Sequence, residues 1–404
     1  MSSPAAPLIV GAGPAGLALA LTLARRGLPV TLVEAQPRAH RLFRGEALMP
    51  SGLQALQALD LQPAAGVPSR RLTGWTFQLE RRVLFDWREP AAPEPACTLI
   101  DQAALLRHWR DQALALPELT LIEAVAVSDL LTRRERVVGV QLADGRRLAS
   151  DLVIACDGRQ SLLRRRSGLD CAGGAAPFEL LWFLLQGPEA DALAETLAGR
   201  FLTVLGAGGS FALFGRAAGG VQLGWVQHPG EEPPPQPEAW PQRWAAQAAE
   251  PLASRLAAIP ATAIEGPQRL ALAVGCAERW QRPGLLLLGD AAHPMSPLRA
   301  QGLNMALRDA VVAAHHLLPC LQRPGWGGLD TALQRIGCVR QEEIRRIQAL
   351  QHREATLALL LHRLPLLRRR LAAASGWLGP RLAPRWAASQ QTLRRGVLAL
   401  PPLD

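Results

Sequence analysis

The 404-residue sequence predicts an α/β protein in which an α+β sheet domain is inserted into a Rossmann-like nucleotide-binding domain, with helices at the C-terminal end. Three observations carry this. Short apolar runs at 8–10, 152–156 and 285–288 each end in a Gly-rich, Asp-Gly or Gly-Asp turn that leads into a helical stretch. Between them, segments at 72–84 and 201–228 alternate in polarity and are punctuated by glycines, as half-buried strands are. From Leu357 onward the chain is rich in Leu and Arg, with helical spacing.

Leu8-Ile9-Val10 reads as a short buried strand. Gly11-Ala12-Gly13-Pro14-Ala15-Gly16 follows, then an apolar helix to about Arg26. Gly27 ends that helix, and Pro29 to Val33 is a second strand closing on Glu34. This is the dinucleotide fingerprint in its full strand–helix–strand context. Gly11 allows the tight turn, Gly13 lets a pyrophosphate approach the backbone, and Gly16 lets helix and strand pack closely. Pro14 and Ala15 complete the phosphate turn, and Ala35 follows the acidic residue. Glu34 stands 18 residues after Gly16, placed for the hydroxyls of an unphosphorylated ribose, which suits FAD or NAD rather than NADP.

Leu72 to Leu84 carries Trp75, Phe77 and Leu79 in alternation. Leu152 to Cys156 is a buried strand closed by Asp157-Gly158, with Ser161 and Arg164 at the spacing D-G-x-x-S-x-x-R. Phe201 to Arg216 and Gly220 to His228 read as a hairpin or meander. Gly230 to Pro241 reads as a Pro-rich surface loop, and Trp240 to Ile259 as helix. In Leu285 to Ala310, four leucines form a buried strand ended by Gly289 and Asp290. The loop turns at Pro294 and Pro297, and Gly302 opens a helix to about Leu318. Asp290 can accept from a ribitol hydroxyl, and the free amides of Gly302, Leu303 and Asn304 can face an electron-rich ligand edge. His293 is expected to shape this loop. Trp75, Trp182, Phe211, Phe214 and Trp225 are the candidate cavity residues, each able to serve as plain core.

Composition excludes several classes. All 44 basic residues are Arg, and there is neither Lys nor Tyr. No Walker lysine exists, so no P-loop. The net charge is +10, yet no groove-fitting element interleaves Arg with stacking aromatics, so no nucleic-acid partner is expected. Six scattered cysteines, without a C-x-x-C pair, argue for a reducing, cytoplasmic setting and against a zinc or other metal site. The first strand begins close to Met1, so no signal peptide is expected.

The three motifs in this order resemble the single-component FAD-dependent aromatic hydroxylases, the group of 4-hydroxybenzoate hydroxylase and the ubiquinone-biosynthesis hydroxylases. Arg44 in FRGEALMPSGLQAL, Gln102 in IDQAALLRHW and Trp280 in ERWQRPGLLLLGDAAH are similar too. Many relatives carry Arg where Gln102 stands. Where they often read P-x-x-G-Q-G, this chain has Pro297-Leu298-Arg299-Ala300-Gln301-Gly302, and Cys156 replaces a usual Ala. The resemblance implies non-covalent FAD, NAD(P)H as co-substrate, and hydroxylation of an aromatic or quinone-like lipophilic molecule through a C4a-hydroperoxyflavin. It implies that Asp157, Gly158, Gly289 and Asp290 belong to the FAD site. Arg44 contacts the pyrophosphate or gates the flavin, and Pro297 and Gly302 position the ring, with no side-chain nucleophile. A tyrosine-activated phenol and a lysine-dependent halogenase are both impossible without those residues.

The organisation implied is discontinuous: 1–72, 97–178 and 268–330 for FAD, 73–96 and 179–267 for the substrate sheet, 331–404 for C-terminal helices. The alternative reading is an FAD-dependent reductase or dehydrogenase of an isoprenoid, without oxygen insertion; a non-catalytic flavin binder is a third. The sequence names no substrate, no choice between NADH and NADPH, and no oligomeric state. In the tail, Pro365, Pro380 and Pro384 are expected to separate short helices. With Trp377, Trp386 and many arginines, 357–395 has the composition of a peripheral membrane contact, or of basic helices capping the FAD domain.

Overall fold

The computed structural model describes residues 6–37, 46–175, 178–228, 231–232, 236–270, 273–323 and 327–403. Arg44 and part of the expected loop at 230–241 lie outside the described residues.

Leu8–Val10 forms the middle of a parallel sheet. On one side stand Val30–Val33 and then Leu119–Ile122; on the other stand Val153–Ala155 and then Leu285–Leu287. Gln281–Arg282 pairs antiparallel at the outer edge. The chain therefore leaves the first strand to one side and returns on the other. The crevice this opens at the carboxyl ends receives the turns at Gly11, Glu34, Asp157 and Gly289. Helix Pro14–Ala24 has proline in its first turn, a Leu/Ala-rich body and no β-branched run, and nearly every residue is buried. It packs against helix Gln301–Leu321. The strand run of Leu285 to Leu288 is fully buried, each leucine contributing about 1.5–3 kcal/mol. A three-stranded antiparallel sheet, Val127–Arg133, Arg136–Leu142 and Arg147–Ala149, joins Leu119–Ile122 to Val153–Ala155.

The second large sheet has seven strands in the order Ile264–Leu270, Glu179–Leu185, Val221–Gln227, Gly209–Gly215, Arg200–Gly206, Gly74–Leu79, Arg82–Arg88. Its faces differ. Leu181, Phe183, Leu213, Leu223, Phe211 and Trp225 point to helices Pro188–Leu197, Trp240–Ala245 and Leu252–Ala257 and are closed off by Trp240 and Trp244. Phe211 and Trp225 are thus core residues, not cavity residues. They are a register pair, and the period-2 alternation of strands sends them to the helix-covered face. Trp75, Trp182 and Phe214 lie on the opposite face. The expected single helix over 240–259 is two, Trp240–Ala245 and Leu252–Ala257, separated by a turn at 246–251 that ends on Pro251.

Three helices follow: Leu329–Arg363, Pro365–Ala373 and Ser375–Arg395. The chain breaks at Pro365 as expected, but the last helix runs through Pro380 and Pro384. Burial of Gly379, Ala387 and Leu393 along it outweighs the lost backbone bonds.

A buried ionic network ties these parts together. Asp309 accepts the amide N–H of Gly289 at 2.9 Å and Nε of Arg340 at 2.6 Å, and lies 2.6 Å from Nε2 of His293. Glu343 accepts from Arg340, from Nη2 of Arg308 at 2.7 Å, and from the amide of Val397 at 2.8 Å. Arg308 also donates to the carbonyl of Leu398. Asp309, Arg340, Glu343 and His293 are fully buried. Burial would raise the carboxyl of Asp309, but the charges and hydrogen bonds of His293 and Arg340 outweigh it and hold the group below its ordinary value.

Two outcomes follow for stability. Glu343→Gln leaves two buried guanidiniums facing one carboxylate and should lose about 3–5 kcal/mol in urea unfolding; a loss under about 1 kcal/mol would show the network to be incidental. Because the folded value of Asp309 is depressed, its contribution is complete above 3.8 and is lost as pH falls through the lower folded value. Acid titration of unfolding free energy should therefore decline below that point.

Candidate active site

At the first turn, Gly11 has φ 103° and donates to the carbonyl of Val33 at 2.7 Å. A Cβ there would sit 2.3 Å from the carbonyl oxygen of Cys156, and one on Gly16 would sit 1.9 Å from that of Gly11. No side chain fits at either position. Gly13 caps the helix without a side chain, so the amides of Ala15 and Gly16 receive no side-chain cap. Glu34 is 5% exposed and accepts from the amides of Ala12 at 2.6 Å and Gln36 at 2.9 Å. It clamps the glycine turn to the end of the second strand.

The spacing D-G-x-x-S-x-x-R has a physical reason. Asp157 accepts from the Ser161 hydroxyl at 2.5 Å and the Leu163 amide at 3.1 Å, so its carboxylate closes the start of helix Leu162–Arg166. Arg164 donates to the carbonyls of Ala291 at 2.6 Å and Arg159 at 3.0 Å, locking the Asp-Gly turn to the Gly-Asp turn. Asp290 is ion-paired to Nε of Arg159 at 2.9 Å, and Nη1 of Arg159 has no partner. Arg159 had no signal in the sequence, because its partner lies 131 residues away.

The loop at Pro297 leads into Gln301–Leu321. Arg299 (φ 59°) and Ala300 (φ 50°) are both left-handed, which explains why the resembling sequences use Gly at the Ala300 position. The strain costs about 1–2 kcal/mol per residue. With Ala300 as its N-cap, the helix has no side-chain cap over the amides of Gln301, Gly302, Leu303 and Asn304. The Asn304 side chain is itself engaged. It accepts the Met49 amide at 2.8 Å and donates to the carbonyls of Ala47 at 3.1 Å and Ala300 at 2.7 Å, pinning 47–49 beside the helix start. Gln102 opens helix Gln102–Leu114, is 8% exposed, and its Oε1 has no partner. His293 stacks on Trp280 at 5.0 Å.

The sheet face opposite the helices meets this loop. Leu298 packs against the cluster of Phe178 and Leu180, as Trp182 does, and Ala300 packs against the cluster that contains Trp75 and Phe214. Arg299 lies over Trp75, Phe77 and Trp386 at 5.1–5.5 Å and pairs with Glu354 at 2.8 Å. Trp386, which the composition of the tail offered to a membrane surface, is turned onto this sheet instead, and it forms one wall with Arg299, which carried no signal of a role beyond its place in the Pro297 loop. Glu89 holds it from behind, accepting Nε1 of Trp75 at 2.6 Å and both ends of Arg394.

The residues present fit an FAD. Two glycines leave bare backbone where a Cβ cannot stand, Gln102 offers an unpaired buried acceptor, and an uncapped helix start faces an aromatic sheet.

Comparison with known proteins agrees. The family described as FAD binding domain matches residues 5–341. The chain is 30% identical over 403 residues to the 6-methylpretetramide 4-monooxygenase of Streptomyces rimosus, covering 96% of this chain and 90% of that protein. It is 28% identical over 316 residues to the 3-demethoxyubiquinol 3-hydroxylase of Escherichia coli (strain K12), covering 74% and 76%. In fold it matches the crystal structure of the p-nitrophenol 4-monooxygenase of Pseudomonas putida, with a TM-score of 0.78 at 18% identity over 99% of this chain and 100% of that one. The chain belongs to the FAD binding domain family, and it is a flavoprotein monooxygenase of the FAD-dependent aromatic hydroxylase type.

Proposed function

We propose that the crevice holds FAD in the manner the motifs imply, and that the chain hydroxylates an aromatic or quinone-like lipophilic molecule with NAD(P)H and O2. The observation that carries this is the meeting of the sheet's carboxyl edge and the uncapped start of Gln301–Leu321 with the aromatic face of the second sheet. Gly11, Gly13, Pro14, Ala15 and Gly16 take the pyrophosphate, with Glu34 and Ala35 at the adenosine ribose. Gln102, Asp157, Gly158, Gly289 and Asp290 take the ribitol side. Pro297 lies by the ring, and the amides of Gly302, Leu303 and Asn304 favour negative charge on its N1–C2=O edge. Arg44 is assigned to the pyrophosphate or to gating from the motif alone. The division into 1–72, 97–178 and 268–330 for FAD, 73–96 and 179–267 for substrate and 331–404 for helices belongs to this reading.

Bound FAD supplies the hydride acceptance from NAD(P)H and the delivery of one atom of O2, the other leaving as water. The chain's own part is placement and exclusion of water. The wall of Trp75, Phe77, Phe214 and Trp386 dries the substrate side, and Arg299 fixes the Pro297 loop against it. The names of the relatives, 6-methylpretetramide 4-monooxygenase and 3-demethoxyubiquinol 3-hydroxylase, support a small-molecule substrate for this chain.

A second proposal concerns the surface. No described helix is long and apolar enough to cross a membrane. Trp386, Arg368 and Arg394 of the tail are turned inward, onto the sheet and to Glu80 and Glu89. What remains outward is a corner: Leu357, Leu360, Leu364, Leu366, Leu367 and Trp377 are exposed beside Arg363, Arg369 and Arg370. Exposed apolar side chains with arginines adjacent in the chain suit an anionic lipid surface, at about 1 kcal/mol per Arg near it.

Three outcomes test these readings. Purified protein should carry about one non-covalent FAD per chain, and Asp290→Ala should weaken its binding by about 1.5–3 kcal/mol on titration; unchanged affinity removes Asp290 from the site. With 18O2, the product should gain one labelled atom; an unlabelled product would point to dehydrogenation. Full-length protein should co-sediment with anionic but not neutral liposomes at low salt, and Leu366→Asp should reduce this; protein that stays in the supernatant with both ends the lipid proposal.

A further inference from the structure

The sheet face beneath the Pro297 loop is not uniformly lined. One register row crosses five strands as Trp182, Gly224, Ala212, Thr203 and Phe77. The ends are aromatic and the middle is small. A Cβ on Gly224 would lie 3.0 Å from the Trp182 ring, so that ring leans across the glycine and forms an end wall. Ala212 and Thr203 are partly exposed, as Trp182 and Phe77 at the two ends of the row are. The strands of Gly224 and Phe77 are three spacings apart, about 14 Å. A single six-membered ring does not fill that length, even with the Trp182 ring over the glycine.

The next row on the same face carries Gln222, paired in register with Leu184 and Phe214. It is 1% exposed, and its Oε1 has no hydrogen-bond partner. A buried, unpaired carboxamide oxygen among Leu and Phe is unfavourable for folding alone. Beside a trough of small residues it is placed to accept from a ligand's hydroxyl or N–H.

We propose that the substrate is a flat fused-ring molecule, longer than one six-membered ring, lying across Ala212 and Thr203 between Trp182 and Phe77 with a hydrogen-bond donor turned to Gln222. This rests on the aromatic-hydroxylase reading above and names the size and polarity of its substrate. Ring faces and edges at both ends favour a planar π-system. The donor would set which edge of the fused system faces the Pro297 loop, which makes Gln222 a positioning residue and Ala212 and Thr203 the determinants of length.

The test uses the full chain loaded with FAD, whose content is measured first, and perturbation of the flavin spectrum as the readout of binding. The probes are 4-hydroxybenzoate, 2,6-dihydroxyanthraquinone and 9,10-anthraquinone. The unaltered protein should bind the dihydroxy fused ring at least about tenfold more tightly than the single ring. Ala212→Leu and, independently, Thr203→Leu should each lose about tenfold for the fused ring and under about twofold for the single ring. Gln222→Leu should lose about tenfold for 2,6-dihydroxyanthraquinone while leaving 9,10-anthraquinone within about twofold. FAD-loaded protein with no ring-size preference, or with no affinity for any probe, overturns the proposal and leaves the hydroxylase reading standing. Protein that takes up no FAD overturns the hydroxylase reading, and this proposal with it.

Discussion

The carboxylate of Asp309 is the constraint on which the rest of the molecule depends. It reaches from the middle of Gln301–Leu321 to the amide of Gly289, to His293, and to Arg340 on the following helix. The Gly-Asp turn, the Pro297 loop and the helix start are thereby set in one frame. Glu343 extends that frame through Arg308 to the backbone at 397–398. Ion pairs this deep are rarely better than hydrophobic packing for stability, and breaking one leaves a stranded charge. Their value here is geometric: a loop held by directional bonds on both sides keeps its amides aimed.

The same logic governs the sheet. Strand alternation divides its side chains into one set sealed by Trp240 and Trp244 and one turned to the Pro297 loop. The second set is closed by Arg299 and Trp386, from a loop and from the last helix. The second sheet thus meets the Pro297 loop and the last helix through aromatic faces and guanidinium planes.

Much of this was legible in the chain because the signals are local. Gly11, Gly16 and Glu34 lie within one strand–helix–strand unit, and the bare backbone they provide follows from their identity. The D-G-x-x-S-x-x-R spacing is a capping arrangement of adjacent residues, readable for the same reason. What was hidden depends on distant pairing. Phe211 and Trp225 looked like cavity residues because alternation reveals that a strand has two faces, not which face is covered. Arg159 gains its meaning only from Asp290, Asn304 from Met49, and Trp386 from Trp75 and Phe77, each far away in sequence. Pro380 and Pro384 misled because helix propensity is a weak prior that packing on the sheet overrides.

The position of Trp386 also orders events in time. A ribosome delivers the fingerprint, the sheet strands and the Pro297 loop well before the helix Ser375–Arg395 that completes the aromatic wall. Until then Trp75, Phe77, Phe85 and Trp87 present an open greasy face, and Glu89 waits without the guanidinium of Arg394. A nascent chain stalled at that stage has a nearly finished nucleotide crevice beside an unfinished dry compartment. The dry compartment is therefore closed by the last helix of the chain, and a truncation before it would uncover four aromatic rings at once.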